Sequence, residues 1–114
     1  MSFHFENIRK AVHAMLNDVV EQGFKHSLEF PSDSESAHKI IENANTSLTD
    51  IINLARKDNQ MSNSDLKQEA FRRIVQQAET TSLQLLAEIQ LMRRRQTVTM
   101  HQLKKSDLTP RQKP

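Results

Sequence analysis

Before Thr109 the chain holds one glycine, Gly23, and one proline, Pro31; Pro110 and Pro114 follow near the C-terminal end. A fold made of short strands reverses direction roughly every 8–12 residues, and its turns draw on Gly, Pro, Asn and Asp for their dihedral angles. A chain this poor in turn formers folds into a few long elements. Valine and isoleucine never alternate with polar residues at period two, whereas apolar residues recur at intervals of three and four. That is the period of a helix with one buried face, so the expected fold class is all-α. At 114 residues the chain holds one domain.

Three amphipathic segments follow from the spacing. The first is expected from about Phe3 to about Lys25, with Phe5, Ile8, Val12, Met15 and Val19 on one seam, Gly23 as its local end and Phe24 packing back. A connection over His26–Ser32 is expected because Pro31 disfavours the α region at Phe30. Leu28 and Phe30, apolar within that loop, are expected to tuck under the helices. Ser32 followed by Glu35 has the pattern of a capping box. It introduces a second helix with Ala37, Ile40, Ile41, Ala44, Leu48, Ile51, Ile52 and Ala55 on its seam, fading at Arg56-Lys57-Asp58. After a turn at 59–64, Ser62 and Asp65 form the expected N-terminal cap of a third helix. Its seam runs from Leu66 through Phe71, Ile74, Ala78, Leu85 and Ile89 to Met92. The helix is expected to reach at least Arg95, and to extend to Leu103 if Gln96 is accepted on the seam. Residues 106–114 are polar and proline-punctuated and are expected to be a disordered tail behind a helical domain of residues 1–105.

The expected architecture is a three-helix antiparallel bundle with an extended third helix, completed by oligomerisation. The first two helices are about 35–37 Å long at the α-helical rise. A third helix antiparallel to the second passes the end of that body near Glu88 or Ile89. Everything beyond would project: Leu91, Met92, Val98, Met100 and Leu103 beside Arg93, Arg94 and Arg95. An overhang both apolar and basic is better explained by a second chain than by a lone monomer. The hydrophobic content of 36%, with no tryptophan or tyrosine, makes a thin core and points the same way.

Charge is divided along the chain. Residues 1–90 carry nine basic and thirteen acidic side chains, hence −4; residues 91–114 carry seven basic and one acidic, hence +6. An acidic body with a basic end implies a partner for that end. The absence of cysteine excludes a disulfide framework and thiolate metal sites. No apolar stretch approaches the ~18 residues of a membrane span. The first residues lack the basic start and apolar run of a signal peptide, so a cytoplasmic protein that contacts no membrane is expected.

Three sets of residues bear on catalysis or metal binding. Glu35-Ser-Ala-His38 fits one Glu-x-x-His metal motif of helical bundles, but the second that such sites use is missing. Glu35 also lies in a first helical turn, where capping explains it. The five histidines, His4, His13, His26, His38 and His101, include no i,i+4 pair and are expected at surface or boundary positions. Arg95 and His101, with five residues between them, resemble the loosely spaced arginine–histidine pattern of HEPN-type helical ribonucleases. That likeness implies charge stabilisation by the arginine and proton transfer by the histidine. It covers residues 95–101 only, and Gln96 stands where that family often has Asn or Asp. A phosphate-cradling loop is excluded by the single glycine.

The expectation is therefore a non-enzymatic protein–protein interaction module without cofactor or metal: an adaptor, small chaperone or assembly subunit. Its partner is another protein, itself, or both. The expected contact residues are Leu91, Met92, Arg93, Arg94, Arg95, Met100 and Leu103. The alternative is a small nucleic-acid-binding regulator that uses the same basic end.

Overall fold

The computed structural model describes the backbone of residues 4–108 and the side chains of residues 4–102. Helix α1 spans Phe5–Glu29, a short 3-10 turn spans Pro31–Asp33, α2 spans Ser34–Asp58, and α3 spans Ser64–Leu108. There is no strand among the described residues. All three helices pack against one another. The all-α class and the three-helix count match the sequence reading. The third helix continues past Ser106 to Leu108, and residues 109–114 of the expected tail lie outside the described residues.

Several local expectations are corrected. Helix α1 does not end at Gly23 but runs to Glu29. Gly23 is buried within it, and a β-carbon there would sit 2.8 Å from Ile41 Cγ1. The glycine is used for its lack of volume, which lets α1 approach α2, and not for left-handed backbone freedom. The helix stops at Phe30, whose φ of −127° and ψ of 81° are non-helical, as the following proline requires. Because α1 is longer than expected, Leu28 is carried on its helical register to the outside. It is 83% exposed and does not tuck under the helices. Phe30 is half-buried.

The caps also differ. Helix α2 opens at Ser34 with Asp33 at the N-cap, and no side chain bonds the first turn. The capping box of Ser32 and Glu35 is not formed, and the Asp33 carboxylate is occupied elsewhere. Helix α3 is capped by Asn63, whose Oδ1 accepts the Leu66 N–H at 3.0 Å, so neither Ser62 nor Asp65 takes that role.

Two sets of buried side chains form the interior. Ile8, Val12 and Leu16 of α1 meet Ile51, Ile52 and Ala55 of α2 and Phe71, Ile74 and Ala78 of α3. Further along, Val19 of α1 meets Ala37, Ile40 and Ala44 of α2 and Leu85, Ile89 and Met92 of α3. Each large aliphatic side chain removed from water contributes roughly 1.5–3 kcal/mol, which is why these seams, not local propensity, decide where the helices lie. Ser82 is buried within the α3 seam, and its hydroxyl donates to the Glu79 carbonyl at 2.9 Å, so it enters the interior without an unmet donor.

The molecule measures 80 × 21 × 16 Å. The 25 residues of α1 and of α2 account for about 37 Å each, while the 45 residues of α3 span about 67 Å. The long dimension belongs to α3.

Candidate functional site

Among the described residues, two lateral contacts of α3 with the packed body mark where its projecting part begins. Gln96 Nε2 donates to Ser32 Oγ at 3.1 Å. One turn earlier, Arg93 Nη2 lies 3.6 Å from Glu29 Oε2. The expected exit near Glu88 or Ile89 is therefore corrected by about 10 Å along the helix. The cause is the extra length of α1 and the 3-10 turn standing at its end, which together accompany α3 as far as Gln96.

The small polar cluster at this exit was missed in the sequence. His26 is fully buried, contrary to the expectation that every histidine lies at the surface or boundary. Its Nε2 stands 2.7 Å from Asp33 Oδ2, its ring centroid is 5.0 Å from that of Phe30, and Nδ1 is buried without a hydrogen-bond partner. The hydrogen bond from His26 holds the Asp33 carboxyl below the usual carboxylate range, with Gln96 and the charges of His26 and Arg95 adding to the effect. The only signal in the sequence was the seven-residue spacing of His26 and Asp33 across Pro31, which becomes a contact only once the chain reverses there.

The expected contact residues separate into three groups. Met92 belongs to the interior at 7% exposure, packed with Ile89 and Ala37, and is withdrawn from the candidate surface. Leu91, its neighbour, is 48% exposed, and Met100 is 58% exposed. Leu103 lies in the α3 backbone, and its side chain is outside the described residues. Arg93, Arg94 and Arg95 are all exposed. Successive residues turn by about 100°, so the three arginines fan around the helix and do not form one patch. Arg93 reaches Glu29, Arg95 acts electrostatically on Asp33, and Arg94 points away from the body.

Leu83 and Val98, which were not among the expected contacts, are 58% and 55% exposed. Val98 is seven residues after Leu91 and falls within about 20° of it around the helix axis, with Ala87 about 40° to one side and Leu83 about 80°. These side chains form an outer stripe on the side of α3 away from Leu85, Ile89 and Met92. The readable signal was a heptad repeat, Gln84, Leu91 and Val98, running out of phase with the inner seam.

Other chemistry is sparse. His38 engages Glu42 at 3.2 Å beside an open groove of about 640 Å³ lined by Phe24, Pro31, Glu35 and Ile41. Among the described residues, no three His, Asp or Glu side chains are grouped so as to hold a metal ion. Arg95 and His101 are both exposed and leave α3 about 120° apart. No helix, among the described residues, is long and apolar enough to cross a membrane. No family model matches the chain, and no curated protein or solved structure is similar to it.

Proposed function

We propose that the chain is a non-enzymatic helical interaction module, an adaptor, small chaperone or assembly subunit, in which a three-helix antiparallel bundle presents the C-terminal part of α3 to a protein partner. The observation that supports this reading is α3 itself. It continues twelve residues beyond Gln96, which among the described residues is the farthest along α3 to hydrogen-bond the 3-10 turn, and leaves Leu91, Val98 and Met100 about half exposed. An isolated helix of that length is marginal in water, and burial against a partner supplies what the body no longer does. Methionine at position 100 adapts to an irregular partner surface, while Arg94 and Arg95 stand at the rim and set specificity.

The test is a photo-crosslinking amino acid placed at position 98, with position 54 as the comparison, because Leu54 is 40% exposed but lies on the body. The expected result is discrete protein adducts from position 98 and none from position 54. Adducts lost on nuclease treatment would favour the second reading, a nucleic-acid-binding regulator. That reading is supported by the five lysines and arginines between Arg93 and Lys105, with no acid among them. Equal labelling from both positions would remove the surface from consideration.

A further inference from the structure

The outer stripe of α3 has a chemistry that selects its occupant. Around Leu91 the helix divides into two charge blocks. Residues 74–92 contain Glu79 and Glu88 and no lysine or arginine; residues 93–105 contain five lysines and arginines and no acid. The boundary between the blocks falls next to Leu91, which lies at the middle of the stripe from Leu83 to Val98.

We infer that the partner seated on this stripe is a second copy of the chain, with the two α3 helices antiparallel and crossing at Leu91. The inference rests on reading α3 as an interaction surface and names what occupies it. In this arrangement residues equally far before and after Leu91 face one another. Leu83, eight residues before, meets Val98, seven after, and Leu91 meets itself. Ala87 is exposed and small and lets the backbones approach. Glu88, three before, and Arg95, four after, lie on the same flank of the stripe, about 60° and 40° from Leu91. Two helices related by a twofold axis bring like flanks together, so each Glu88 meets the other copy's Arg95. Glu88 has no ion pair of its own among the described residues. The parallel arrangement would set Arg94 and Arg95 of one copy beside those of the other, and like charges at matched positions repel. The division of charge along α3 favours the same answer, since the basic residues from Arg93 of one copy then lie beside the stretch of the other that holds Glu88 and Glu79.

The chain has no cysteine, which makes disulfide trapping direct. Leu91→Cys is expected to form a covalent dimer on mild oxidation. Leu83→Cys and Val98→Cys, carrying tags of different size, are expected to cross-link when mixed and not when oxidised alone. Efficient cross-linking of Val98→Cys with itself would mean parallel helices and would overturn the inference. Glu88→Arg and Arg95→Glu are each expected to weaken self-association by about tenfold, and the double exchange to restore it. No restoration would overturn the pairing. These positions are exposed, and unchanged helical circular dichroism confirms that each variant folds. A 13.2 kDa monomer by sedimentation, with position 98 still capturing a different protein, overturns the second copy and leaves the interaction surface standing. A monomer with no capture removes both.

Discussion

Residues 64–96 and 97–108 of α3 belong to one uninterrupted helix, yet they live in different company. In the first stretch the inner side chains Phe71, Ile74, Leu85, Ile89 and Met92 are nearly inaccessible to water, because α1 and α2 lie against them. Beyond Gln96 that accompaniment stops. Met100 is then as exposed, at 58%, as Val98 at 55%, although Val98 lies on the outer stripe and Met100 follows the inner side. The comparison teaches that the amphipathic pattern of a helix chooses which face can be buried, while its neighbours choose over what length it is buried.

The largest effect expected from breaking this division is at the body. Phe71 is 1% exposed and the largest fully buried side chain. Phe71→Ala should lower unfolding stability by about 3–5 kcal/mol, measured by urea titration. Met100→Ala should leave the same titration unchanged. A comparable loss from both would show that the projecting stretch is packed after all.

Adjacent residues sharpen the contrast next. Met92→Ser removes a buried thioether and introduces a hydroxyl into an apolar setting, so it should cost at least about 2 kcal/mol. Leu91→Ser should change stability by less than about 0.5 kcal/mol and instead weaken association. If the two variants melt together, the division of inner and outer faces is misplaced.

A smaller change is expected where α1 meets α2. Gly23→Ala forces a β-carbon against the Ile41 side chain at 2.8 Å. Overpacking costs about 1–3 kcal/mol, and the gain in helix propensity returns up to about 1 kcal/mol. A net loss of about 1 kcal/mol in thermal unfolding is expected, and it should vanish in an Ile41→Ala background, where the alanine methyl has room.

The polar cluster at the exit of α3 gives a pH dependence. Folding lowers the Asp33 carboxyl below its ordinary value through the hydrogen bond from His26. The ionised carboxylate therefore contributes stability at neutral pH, and that contribution disappears as pH falls below about 3.9. Asp33→Asn should melt lower than the unaltered chain near neutral pH, and the gap should narrow in acid. A gap that stays constant across the acid range would mean that the carboxylate is not what holds His26. Least of all, removing residues 97–114 should leave the melting temperature of the body unchanged while weakening association, because Val98 and Met100 are lost and Leu83, Ala87 and Leu91 remain.

Much of the inner architecture was legible in the residues. The periods of three and four around Ile8-Val12, Ile40-Ala44 and Ile74-Ala78 gave the buried seams correctly, because a helix with such a stripe has one way to hide it. The boundaries were less legible where one residue type serves two purposes. Gly23 carried the signature of a helix end but serves close packing, and Ser32 carried that of a cap but serves Gln96. On the candidate surface, Leu91 and Met100 are exposed and Met92 is buried, while the outer stripe through Leu83 and Val98 is masked in the sequence by the stronger inner period.

What the sequence by itself determined is the all-α class, the three helices and the faces they bury. These follow from backbone propensity, the near absence of turn residues and the spacing of apolar side chains, all of them local quantities. Only the tertiary structure decided that His26 is enclosed, that Gly23 is a point of contact, and that α3 leaves the body at Gln96. Each of those depends on a side chain from another helix arriving at a particular place, and no spacing within a single segment encodes the distance to its neighbour.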